Sequence, residues 1–279
     1  MVVAALFAAQ ALVPVRMEPV QLGPATAITG GSTQEIAVGE QSATVFVPDG
    51  LKPAISNRVA MHFHSAAWFV VSQYQQTGVN APVVTFNFGQ GSAVYAAPFK
   101  AQGSFAPWLA KIEAAIGGKI GSLVVTSFSA GYGAVRELVA QPEFLSRVET
   151  VVLNDSMYGS FAAGGAQTRT VEPAHARVWV PLAERAIGGK ANVIITCSAI
   201  HPDAYAGTDE VSAALVKLLG GAMTLVTADG SSQPLTATFR RGGLYVWHYG
   251  GTSPEAHMTH ARRAKDILVQ LYPLSEAKK

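Results

Sequence analysis

The run Leu123-Val124-Val125-Thr126-Ser127-Phe128-Ser129-Ala130-Gly131-Tyr132-Gly133-Ala134 constrains the fold more than any other part of this chain. It begins with β-branched apolar residues, the composition of a strand buried on both faces. It continues into Val135, Leu138 and Val139, which recur at helical spacing. A strand that passes into a helix through a serine flanked by small residues suits a nucleophile carried on a tight turn. Ser127 stands where the first glycine of a G-x-S-x-G pattern would be, so the match is one substitution short. The competing reading is an ordinary strand-to-helix loop with a serine N-cap.

What surrounds this run supports a single α/β unit. At 279 residues the chain fits one large α/β domain more comfortably than two small ones. With 49% apolar and 14% charged residues it carries the material for a large core. A net charge of +2, with basic pairs only at Arg240-Arg241 and Arg262-Arg263, gives no footprint for nucleic acid. The single cysteine, Cys197, lies in the apolar run Asn192 to Cys197 and has no intrachain partner for a disulfide. No surrounding turn motif marks it as a nucleophile.

The N-terminus has two readings. Val2 to Val15 is apolar and rich in small residues, and Ala9-Gln10-Ala11 has a small-x-small pattern. No cation precedes Arg16, and the run is too short to cross a bilayer as a helix, so stable membrane insertion is not expected. It reads as part of a secretion signal or as an ordinary terminus. The first implies a secreted or periplasmic protein, the second a cytoplasmic one.

Residues 34–38 and 43–47 read as two short strands joined by Gly39-Glu40, with 51–57 a loop. Further strands are expected at 58–64, 81–88, 150–154, 192–198 and 243–248, and helices at 108–116, 174–186, 209–219 and 254–271. Ser253-Pro254 supplies a cap and a first-turn proline for the last helix. Alternation of this kind predicts a mostly parallel sheet with helices on both faces and an antiparallel pair at one edge. Sites in such sheets form at the carboxyl ends of the strands. His64, Ser129, Asp155, Asp203 and His257 all follow strand ends and can meet on one rim.

With these residues in place, the chain from Gln34 to Leu271 resembles an α/β-hydrolase, in which Ser, Asp and His follow in that order. The resemblance implies a single α/β-hydrolase domain over residues 31–279, preceded by an extension at 1–30. It maps the nucleophile to Ser129, and the first oxyanion donor to the backbone N–H of Ala130. His64-Ser65 resembles the family's His-Gly segment, which places the second donor at Ala66. For the base, the loop before the last helix favours His257, with His260 second and His248 third. For the acid, Asp155 ends its strand directly, and Asp203, after the following strand, is the alternative. An aspartate straight after a buried strand needs partners, or else it caps the next loop.

The resemblance implies no cofactor. His62 and His64 share a face if the strand runs through both, yet no third ligand stands near them, so no metal site is assigned. Phe88, Tyr95, Phe99, Trp68, Tyr158 and Phe161 are candidates for an apolar acyl pocket or for the core. The implied activity is a serine hydrolase that cleaves an ester of a small-molecule acyl substrate. The same triad also serves acyltransferases and peptidases. The serines at 65 and 127 leave open a non-catalytic binding protein of the same fold. Nothing in the sequence fixes an oligomeric state or the substrate.

Overall fold

A computed structural model describes residues 11–51 and 57–274. The Ala9-Gln10-Ala11 pattern and the 51–57 loop therefore fall almost wholly outside the described residues. Ten strands form one sheet among the described residues. They are β1 (Gly31–Val38), β2 (Gln41–Pro48), β3 (Asn57–Phe63), β4 (Val83–Phe86), β5 (Ile120–Phe128), β6 (Val148–Asn154), β7 (Asn192–Cys197), β8 (Thr224–Leu225), β9 (Leu235–Arg241) and β10 (Leu244–Tyr249). Their spatial order is β1-β2-β4-β3-β5-β6-β7-β10-β9-β8. The stretch from β4 to β10 is parallel, and both edges are antiparallel. The helices are α1 (Ala67–Gln75), α2 (Ser92–Ala96), α3 (Phe105–Ile116), α4 (Tyr132–Leu138), α5 (Pro142–Arg147), α6 (Pro173–Arg177), α7 (Val180–Ile187), α8 (Thr208–Leu218), α9 (Pro254–Arg262) and α10 (Ala264–Leu271).

Alternate residues of the central strands feed two cores, which is why these strands read as unbroken apolar runs. Val59, Met61 and Phe63 of β3 face the side covered by α3, α4, α7 and α8, where Val125, Leu153 and Ile195 also point. Ala60, Val124, Val152 and Ile194 point to the opposite side, beneath α1 and α10. Leu12 and Met17 of the N-terminal segment are buried in this second core. The Tyr249 hydroxyl donates to the Val15 carbonyl (2.8 Å), and Arg262 donates to that of Val20 (3.1 Å).

Besides adding the short helices α2 and α5, the structure departs from the expected elements in four places. A helix, α1, follows the His64-Ser65-Ala66 turn. Its Trp-Phe-Val-Val run has strand-like composition, but burial of Phe69, Val70, Val71 and Tyr74 against the sheet overrides that propensity. The helix expected at 174–186 is two helices, with Pro181 in the first turn of α7. The helix expected at 254–271 breaks at Arg263 into α9 and α10. Residues 224–241 add two antiparallel strands to the edge beyond β10.

Candidate active site

The rim at the carboxyl ends of β3, β5 and β6 concentrates backbone strain. Four non-glycine residues have positive φ among the described residues, and three lie here: His64 (74°), Ser129 (47°) and Asp155 (45°). Each costs about 1–2 kcal/mol in the left-handed region, and such outliers cluster at functional sites. Ser129 leaves β5 and opens a single 3-10 turn before α4. Glycine is required on this turn at two places. A Cβ on Gly131 would lie 2.3 Å from the Phe63 carbonyl oxygen, and one on Gly133 would lie 2.2 Å from that of Ser92.

Ser127 fits where glycine is customary because its hydroxyl has a partner. It is fully buried and hydrogen-bonds the Ser156 hydroxyl (2.5 Å). Ser156 Oγ donates to the Ser129 carbonyl (2.8 Å), which leaves Ser127 as donor to Ser156. The substitution thus ties the turn to the residue after Asp155.

Asp155 is completely buried. Its Oδ1 accepts from the Ser198 amide (3.0 Å) and the Thr208 hydroxyl. Its Oδ2 accepts from the Ser198 hydroxyl (2.6 Å) and from His257 Nδ1 (2.6 Å). Four donors fill the lone-pair sites of one carboxylate. Burial by itself raises the pKa of this group, but the His257 and Ser198 hydrogen bonds and the nearby histidines hold it well below the usual carboxylate range. An ionised Asp155 fixes the proton of His257 on Nδ1, so Nε2 carries the free lone pair. The His257 ring lies 4.5 Å from the Phe128 ring.

Ser129, Ala130 and His257 line one cavity of about 800 Å³. The Ser129 hydroxyl makes no hydrogen bond among the described residues. The Ala66 and Ala130 amides likewise have no protein acceptor among the described residues. Ala130 lines the cavity, whereas Ala66 sits outside its wall as the N-cap of α1. His64 also lines it, with Nδ1 on the Tyr95 hydroxyl (2.8 Å). Burial and the neighbouring His257 push the His64 pKa down.

The other candidates lie elsewhere. His260 is fully buried, with Nδ1 on Thr196 Oγ1 (2.8 Å), and burial lowers its pKa to about 4. His248 Nε2 contacts the Ser212 hydroxyl (2.8 Å). Asp203 is exposed and lies outside the cavity wall. Because β3 ends at Phe63, His62 and His64 part company. His62 is buried between Thr126 Oγ1 (2.7 Å) and Ser65 Oγ (3.0 Å), away from the cavity. Among the described residues His201, Asp209 and Glu210 come close enough to share an ion, but Glu210 is paired with Arg169 and His201 with Asp209.

The expected apolar pocket is not what forms. Of its six candidates only Tyr158 lines the cavity. Tyr95 and Phe99 are buried in the core, Phe88 stacks on Tyr95, and Phe161 lies under Arg169. Sequence reasoning passed over Ser198, Thr208 and Ser156. They stand 43, 53 and 29 residues from Asp155 or Ser127, in segments with no motif of their own.

The parallel strands, the strained serine turn and a histidine–aspartate pair on the same rim define the class: the chain has the α/β-hydrolase fold. It superposes on poly(aspartic acid) hydrolase-1 from Sphingomonas sp. KT-1 with a TM-score of 0.50 and 12% identity, over 86% of this chain and 98% of that one. It superposes on a protein designated FAE with a TM-score of 0.51 and 12% identity, over 92% and 93%. EstE1, a thermophilic carboxylesterase from a metagenomic library, matches at a TM-score of 0.49 and 13% identity, over 89% and 92%. At such identities the likeness speaks to the fold. No protein-family model matches the sequence, and no curated protein matches it.

Proposed function

We propose that the protein is a serine hydrolase that cleaves an ester through an acyl-enzyme at Ser129. The observation that carries this reading is the fourfold-bonded Asp155 holding His257 by Nδ1 on the wall of the cavity that Ser129 enters from a strained turn. A serine hydroxyl is a weak nucleophile until an imidazole takes its proton. In the reaction Ser129 Oγ attacks the ester carbonyl as its proton passes to His257 Nε2. The resulting imidazolium is stabilised by Asp155. The Ala130 amide, which lines the cavity, holds the oxyanion, and the amide of Ala66 would serve as second donor only to an oxyanion that reaches past the cavity wall; each such donor is worth on the order of a hundredfold in rate. Collapse expels the alkoxide, which takes the proton from His257 and leaves as the alcohol. Water then attacks the acyl-enzyme with His257 again as base, and Ser129 is released with a carboxylic acid product.

A fluorophosphonate probe tests this directly. The wild-type protein is expected to be labelled at Ser129 and to hydrolyse short p-nitrophenyl esters. Ser129→Ala is expected to lose both properties while keeping its melting profile. A folded wild-type protein that neither reacts with the probe nor turns over any ester would sink the proposal.

A further inference from the structure

The wall of the cavity away from His257 has a chemistry that the hydrolytic machinery does not use. Among the lining residues Arg136 carries the one formal charge, and no aspartate or glutamate lines the cavity. Arg136 lies in α4, the helix that the Ser129 turn leads into, and both residues line the cavity. Helical side chains lean toward the N-terminus, which aims Arg136 back over the cavity.

Its guanidinium is fixed. Nε and Nη2 donate to Glu137 Oε1 (3.1 and 2.9 Å), and the group lies 5.7 Å from the centre of the Tyr132 ring. A guanidinium has five N–H donors, so three remain without an acceptor among the described residues. Glu137 neutralises part of the charge but stays outside the cavity wall.

Two further donors line the same cavity. His175 Nδ1 accepts from the Ser160 amide (2.8 Å), which places its proton on Nε2. Burial, followed by the nearby Arg136, pushes the His175 pKa down, so the ring stays a neutral donor. Ser92 Oγ accepts from the Tyr132 hydroxyl (3.1 Å), which leaves its own proton free. A guanidinium, an imidazole N–H and a hydroxyl lining one cavity, with Glu137 and Glu172 outside its wall, form a recognition site for an anion that carries several acceptor oxygens.

We infer that Arg136, with His175 and Ser92, is a specificity site for a free carboxylate on the substrate, so that the preferred esters are acidic ones whose carboxylate is separated from the scissile ester by a chain of several atoms. This rests on Ser129 being the nucleophile of the same cavity. The carboxylate can sit on the acyl half or on the alcohol half, and the test separates the two.

The experiment compares monomethyl adipate with methyl hexanoate, and 6-acetoxyhexanoate with hexyl acetate, by kcat/KM. At least one acidic ester is expected to exceed its neutral counterpart by about tenfold or more. Arg136→Gln is expected to erase that ratio, and high ionic strength to shrink it in the wild type. Ratios near one for both pairs, or a ratio that survives Arg136→Gln, would overturn the inference. If that variant does not fold, the ionic-strength dependence decides.

Binding to Ser129→Ala protein, measured by calorimetry, separates this inference from the hydrolase reading. Tenfold tighter binding of an acidic ester, in a protein whose wild-type form turns over no ester, would keep the anion site and remove the hydrolase. Turnover of neutral esters without any acidic preference would do the reverse.

Discussion

Asp155 illustrates how much chemistry one residue can gather when its backbone and side chain are both held. Its positive φ turns the carboxylate off the end of β6, and four donors then fix its charge and its direction. If it orients His257, Asp155→Asn is expected to lower kcat by a factor on the order of 10⁴ by stabilising the wrong imidazole tautomer. Asp203→Ala, a change on an exposed loop, is expected to leave kcat within about twofold of wild type. Steady-state kinetics on one ester checks both, and a large loss confined to the Asp203 variant would transfer the role. At this scale the sequence was a good guide to the residues at strand ends. It could not show that the serine at 127 is tolerated through Ser156, because that contact joins β5 to the residues just after β6.

Elements carry the next layer of constraint. The turn from β5 into α4 presses so close to β3 that its backbone nearly touches the Phe63 carbonyl at Gly131. Gly131→Ala would place a methyl group inside van der Waals distance of main chain on a central strand, where neither side can yield cheaply. We expect a destabilisation of about 1–3 kcal/mol or more, read as a fall in the urea midpoint, together with a loss of ester turnover from displacement of Ser129. An unchanged midpoint would mean that β3 and the turn can separate. The parallel strands and amphipathic helices were legible in the sequence because burial on two faces imposes a simple apolar pattern. The helix after His64 was not, since Trp68 to Val71 mimics a strand and only docking on the sheet decides the matter. The strands β8 and β9 were also missed, β8 being two exposed residues and β9 a partly exposed strand that ends in Arg240-Arg241.

For the whole molecule, the buried histidines couple stability to pH. Burial depresses the pKa of His62 to about 3 and those of His248 and His260 to about 4. In the unfolded chain each titrates near 6.5, so between about 6.5 and about 4 the unfolded state binds protons that the native state refuses. Stability is therefore full above pH 6.5 and falls as the pH drops through this window. The slope approaches about 4 kcal/mol per pH unit if all three act together. Urea unfolding at a series of pH values measures this slope, and His260→Gln should remove about one third of it. A flat profile down to about pH 4 would show that these rings are protonated in the native state. The bond between His257 and Asp155 spans 102 residues of chain and joins β6 to α9, while the segment before β1 is tied to α9 and α10. Timing during synthesis follows from that topology. A growing chain can assemble most of its sheet before the imidazole has left the ribosome, so under the proposed mechanism it would stay chemically silent until α9 docks. The order of translation would then act as a safety catch on Ser129.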